Sequence, residues 1–195
     1  MAETAREATH SDGSTGRARF IALPTRRLTP QRPPRTLICV QVYIIRHGHA
    51  IDEGPGLSDE HRYLTKKGRK VVREVGRVLR DLGVEFDAIL TSPLVRATQT
   101  AELIAERTDY VDVIEALPAL APGIPPRIVA NELPSRGVRV AVVGHEPGLS
   151  MLGAYLTGRP AFPPLRKAQV SVVEDGRPLW FIHPDTLEKD RLILA

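Results

Sequence analysis

The sequence predicts an α/β fold: a three-layer α/β/α sandwich around a mostly parallel central sheet. Three observations predict it. Short apolar runs alternate with longer amphipathic ones along the chain, as in strands joined by crossover helices. Two of the short runs, Val40–Ile45 and Val138–Val143, each end abruptly in a polar turn that contains a histidine. Ligands of open α/β sheets bind at the carboxyl ends of strands, so these two ends mark a candidate binding edge.

The elements follow in order. A strand is expected over Leu37–Arg46, then a loop to about Tyr63. A helix is expected next, with Thr65 as its N-cap, running to Leu82 with Gly83 as its stop. Val71, Val75, Val78 and Leu82, with Val72 and Leu79, form its apolar stripe. A strand over Phe86–Thr91 precedes a helix that starts near Pro93, a good first-turn residue. That helix is expected to bury Leu94, Ala97, Ala101, Ile104 and Ala105. A short strand, Asp112–Ile114, leads into a proline-rich loop, Leu117–Pro126, and a helix over Arg127–Leu133. The strand ending at Val143 and a helix near Leu149–Leu156 follow. Two further strands, Gln169–Glu174 and Leu179–His183, are joined by an Asp175-Gly176 hairpin turn.

With 195 residues, of which 42% are hydrophobic and 26% charged, the chain has the composition of one globular domain with a substantial core. No apolar run approaches the roughly 20 residues of a membrane span, so no membrane partner is expected. The single cysteine, Cys39, has no partner for an internal disulfide and reads as a small core residue. A reducing, cytoplasmic setting is expected on that account.

The net charge of +4 is carried by residues 1–35, which hold seven arginines against Glu3, Glu7 and Asp12. The remainder has 20 basic and 20 acidic residues. Residues 1–35 are expected to be a basic, disordered tail, with the domain occupying 36–195. A nucleic-acid arm or a transit peptide is a weaker reading than a solvated tail, or than an initiation site nearer Val40. The balanced domain gives no reason to expect a nucleic-acid partner.

The chemistry-bearing residues fall in three segments: Arg46-His47-Gly48 after the first strand, Ser92-Pro93-Leu94-Val95-Arg96-Ala97-Thr98-Gln99-Thr100-Ala101, and Gly144-His145-Glu146-Pro147-Gly148. Arginine forks suit a tetrahedral oxyanion because one guanidinium can hold two of its oxygens. Arg96 also falls near a helix start, where the dipole favours an anion. In this order the three segments resemble the histidine phosphatase superfamily, which includes phosphoglycerate mutases and acid phosphatases. They look closest to its short SixA-type phosphohistidine phosphatases. The resemblance runs from about Val40 to the C-terminus.

The resemblance implies a phosphoglycerate mutase-like fold and a metal-independent phosphatase. It implies His47 as the nucleophile that becomes phosphorylated, with Arg46, Arg96 and His145 as the other catalytic residues. Arg46, Gly48, Arg96 and His145 would bind the phosphoryl group. No metal or cofactor is expected, since no His-Glu-x-x-His, cysteine pair or aspartate cluster occurs. Outside this context Arg96 would read as a partner for Glu102 or another carboxylate, and His49, His61 and His183 as surface histidines.

Many superfamily members place a carboxylic acid after the third strand to protonate the leaving oxygen. Here that loop has Ala119 at about that place, with Glu115, Asp52 and Glu146 as the remaining candidates. A site without a strong acid suits a P–N bond better than an alkyl ester, because an imidazole leaves more easily than an alkoxide. The expected substrate is therefore phosphohistidine on a protein. A small phosphomonoester is the alternative, a mutase a weaker one, and a non-catalytic phosphate-binding adaptor the reading from another class. Lys66, Lys70, Arg73, Arg77 and Arg80 line one face of the first helix. They read as a solvated face, with an acidic docking surface as the sharper alternative.

Overall fold

The computed structural model describes residues 40–194. The expected tail over 1–35, the first residues of the expected domain and strand, and Cys39 lie outside the described residues. Within them a seven-stranded sheet runs β3-β2-β4-β1-β5-β6-β7. The strands are β1 (Gln41–Arg46), β2 (Ala88–Thr91), β3 (Ile114–Ala116), β4 (Arg139–Gly144), β5 (Val170–Glu174), β6 (Arg177–Ile182) and β7 (Lys189–Arg191). β3, β2, β4 and β1 are mutually parallel, and β5 to β7 continue the sheet antiparallel.

The helices are α1 (Lys66–Asp81), α2 (Val95–Arg107), α3 (Pro126–Glu132) and α4 (Gly148–Thr157). β1 shows why they take both faces. Its residues alternate in direction, as a pleated strand requires. Tyr43 and Ile45 join the core under α1 and α2, whereas Val42 and Ile44 join the core under α3 and α4. Up to β3 the chain steps one way across the sheet with its helices on one face. It then turns back to β4 and places α3 and α4 on the other. Parallel crossovers keep one hand, so reversing direction changes the face. The reversal leaves the carboxyl ends of β1 and β4 side by side, with Arg46 opposite Gly144.

Several expectations are met closely. Thr65 caps α1, its side chain accepting from the Gly68 N–H, and Gly83 ends it with φ +69°. Asp175 and Gly176 both have positive φ, as a primed hairpin turn requires. Other boundaries need correction. The third strand is not Asp112–Ile114 but Ile114–Ala116. Val111 and Val113 are 92% and 84% exposed, so their alternation with aspartates marks no buried face. β2 begins at Ala88 rather than Phe86, α2 at Val95 rather than Pro93, and the hairpin's second strand at Arg177 rather than Leu179. β7 has no counterpart among the expected elements: it reads Lys-Asp-Arg, all exposed, with no apolar signal. Charge on an edge strand also discourages pairing with another chain.

α1 packs against the loop after β1 through Gly68. A Cβ built there would overlap the backbone carbonyl of His49. Relief needs backbone movement, which outweighs alanine's better helix propensity. Gly68→Ala should therefore cost about 2 kcal/mol, or roughly 4–8 °C in Tm for a domain of this size. Thermal unfolding checks this, and an unchanged Tm would mean that the contact relaxes freely.

Candidate active site

The site assembles at the carboxyl ends of the two central strands. Arg46 ends β1 and His47 follows it, its N–H donating to Gly144 O at 3.1 Å. His145 follows β4 directly. Their imidazole centroids lie 5.0 Å apart. His47, His145 and Arg96 are 7%, 6% and 5% exposed, so all three are buried polar groups that need a physical account.

His47 Nδ1 lies 2.7 Å from the carbonyl oxygen of Gly48. A carbonyl only accepts, so Nδ1 carries the proton, and in the neutral ring Nε2 keeps its lone pair. Burial drives the His47 pKa down, opposed by that hydrogen bond and reinforced by His145, Arg96 and Arg46, to about 3. His145 is likewise lowered to about 4, by burial first, then by Arg96, with Asp59 opposing and Arg46 adding. Both rings are therefore neutral near pH 7 without an anion present. Such a His47 is a ready nucleophile.

His145 Nε2 lies 2.9 Å from Ser92 Oγ. His145 Nδ1 and Arg46 Nε are buried without a hydrogen-bond partner. Unpaired buried groups are costly, and these two flank the same pair of strand ends. The rest of the Arg46 head is fixed by donation from Nη1 to Leu165 O at 2.7 Å.

Arg96 enters from the first turn of α2. Its Nη1 donates to Asp59 O at 2.6 Å and its Nη2 to Asp59 Oδ2 at 2.9 Å. Arg62 also binds Asp59, at 3.0 Å. Burial alone would raise the Asp59 carboxyl, but the hydrogen bonds from Arg96 and Arg62 outweigh it and hold the group below its ordinary value. The carboxylate that meets Arg96 is Asp59, 37 residues earlier, rather than Glu102. Thr100 ties the elements together. Its hydroxyl accepts from Gly48 N at 3.0 Å and donates to Arg96 O at 2.7 Å.

Gly48 is required, though its close neighbour is α1. A Cβ there would lie 2.7 Å from Val72 Cγ2 and 3.2 Å from Leu64 Cδ2. Sequence reasoning missed Asp59, Ser92 and Thr100 as parts of the site. Ser92 and Thr100 stand inside a motif already singled out, and Asp59 precedes Arg62 by three residues, a spacing that could have marked it.

The three candidate acids do not join the site. Glu115 forms a two-pronged ion pair with Arg136, whose Nη2 lies 3.0 Å from Glu115 Oε1 and 3.1 Å from Glu132. Glu146 accepts from Leu165 N at 2.8 Å and from Ser150 Oγ at 2.7 Å, which anchors α4 and the loop before β5. The Asp52 side chain is 97% exposed and, among the described residues, pairs only with Arg62, at 3.8 Å. Nor is the basic stripe of α1 wholly free: Arg73 pairs with Glu106, and Arg77 with Glu74 and Asp81. No group of three or more His, Cys, Asp or Glu side chains among the described residues could hold a metal ion. No helix there is long and apolar enough to cross a membrane.

Residues 42–121 match the family model of the histidine phosphatase superfamily, branch 1. The fold superimposes with a TM-score of 0.71 on the structure of the protein histidine phosphatase SixA complexed with tungstate, covering 76% of this chain and 100% of that one at 28% identity. Over that matched segment, and in its fold, the chain is similar to the histidine phosphatase superfamily. Two curated relatives match about a third of it. An uncharacterised protein of Picosynechococcus sp. is 46% identical over 66 residues, which is 34% of this chain. The mitochondrial serine/threonine-protein phosphatase Pgam5 of Drosophila virilis is 39% identical over 69 residues, 35% of this chain. The chain spans 40% and 23% of the lengths of these two relatives. The segment matched by the family model contains Arg46, His47 and Arg96, while His145 lies beyond it, just after β4.

Proposed function

We propose that the chain is a metal-independent phosphatase that works through a phosphohistidine on His47 and acts on phosphohistidine in proteins. One observation carries the reading: a buried, neutral His47 with its proton committed to Gly48 O and its Nε2 lone pair uncommitted, beside two arginines and a second histidine. In the first step Nε2 attacks phosphorus and the bond to the leaving group breaks. Arg46, Arg96 and His145 hold the phosphoryl oxygens, and Gly48 shapes the loop that carries the nucleophile. In the second step water attacks the phosphohistidine, phosphate departs and the neutral imidazole is restored. The single cysteine fits a reducing, cytoplasmic setting.

The leaving group supports a P–N substrate. Among the described residues Asp59 is the carboxylate bound to Arg96, and the hydrogen bonds from Arg96 and Arg62 favour its ionised form, which makes it a poor proton donor. An imidazole needs less help than an alkoxide, since its conjugate acid has a pKa of about 6.5. A substrate panel in chelator tests this. Phosphohistidine and activated aryl phosphates should turn over well, and alkyl phosphates slowly. A sugar phosphate hydrolysed as fast as phosphohistidine, with Asp59→Asn removing that activity selectively, would make Asp59 a general acid. A small-molecule phosphomonoesterase would then be the better description.

A further inference from the structure

Beside His145 a cavity of about 230 Å³ opens between the loop before α3 and the start of α4. Its wall includes Ala121, Ile124, Pro125, Val129 and Met151. The carboxylate of Glu146 at its edge is already bound to Leu165 N and Ser150. The lining therefore has few groups with which to recognise sugar hydroxyls or a second phosphate, and many with which to desolvate an apolar side chain. Pro126 and Met151 continue it into a shallower hollow lined also by Ala154, Tyr155, Gly158 and Arg159. Met151 and Tyr155 are 50% and 53% exposed, and Ile124 is also exposed.

A cavity of roughly 150 Å³ accommodates a benzene ring. This one is larger before its extension along α4 is counted. The leaving group of a small aryl phosphate, or of free phosphohistidine, would fill only its inner end. A polypeptide would run along all of it. We propose that this groove docks the segment of a protein substrate that carries the phosphohistidine, with a large apolar side chain of that segment seated against Ile124, Val129 and Met151. The inference rests on the phosphohistidine phosphatase reading and adds a sequence preference to it. Arg46, His47, Arg96 and His145 would recognise the phosphoryl group, and the groove its apolar neighbour.

The test compares free phosphohistidine with two phosphohistidine peptides. One carries leucines and the other serines at every position within three residues of the phosphohistidine. Burying one leucine side chain predicts a preference of about 10–100-fold in kcat/KM for the leucine peptide. Met151→Asp on the surface of α4, or Ala121→Trp in the loop, should cut turnover of the leucine peptide about 10-fold more than that of free phosphohistidine. Two variants on separate elements guard against one local misfolding event. Equal turnover of the two peptides overturns the proposal, as does a loss on free phosphohistidine equal to the loss on the leucine peptide. If Met151→Asp changes only the sedimentation of the protein, the groove is a contact between copies of the chain and the proposal falls. Failure to turn over free phosphohistidine as well would overturn the phosphatase reading itself, and the groove's assignment with it.

Discussion

His47→Ala should abolish turnover while leaving the fold intact. The substitution removes the lone pair at the point where the two central strands bring the arginines and His145 together. The backbone hydrogen bonds of this loop, from His47 N to Gly144 O and from Gly48 N to Thr100 Oγ1, do not depend on the imidazole. Rapid quench with labelled substrate should trap an acid-labile, alkali-stable phosphoryl label on the native protein. The same label trapped equally well on His47→Ala would sink the assignment. The variant should also alter stability against pH, and the sign is fixed. The folded pKa of His47 is about 3, below the 6.5 of an ordinary histidine. Between those values the unfolded chain binds a proton that the folded chain does not, so stability falls as pH drops from 6.5 towards 3. Without His47 that fall should be shallower, His145 alone maintaining part of it between 6.5 and about 4. Denaturant titrations at pH 7 and pH 4.5 would measure it.

Arg96→Lys should lower kcat by at least ~10²-fold, in line with loss of one preorganised transition-state donor. The guanidinium holds Asp59 through one N–H on each of Nη1 and Nη2 and still has other N–H groups for an oxyanion. An ammonium is a single point and cannot meet both demands in one plane. Asp59 would then keep its bond to Arg62, while the substituted side chain turned its ammonium to one partner or the other. Steady-state kinetics at saturating substrate reads the effect. Near native rates in the lysine variant would mean that Arg96 serves only to fasten the loop bearing Asp59.

Much of this architecture is legible in the sequence because the signals are local. The alternation of Val42, Tyr43, Ile44 and Ile45 and the capping by Thr65 depend on neighbours a few residues away. So do the Asp175-Gly176 turn and the histidines placed directly after two strands. The resemblance then joins three separate segments into one candidate site, and the strand order brings His47 and His145 within contact. β3 and β7 escape such reading because they are short edge strands. Edges bury little, so the hydrophobic period that reveals a central strand is absent there. Only the tertiary structure decided which carboxylate meets Arg96. Glu115, Asp52 and Glu146 stand near the motifs in sequence, yet two are committed to structural partners and the third faces water. Asp59, on the loop between β1 and α1, reaches α2 because packing around Gly68 and Thr100 brings that loop to the helix. Electrostatic partners are set by distance in space, and a fold of parallel strands makes that distance nearly independent of separation along the chain.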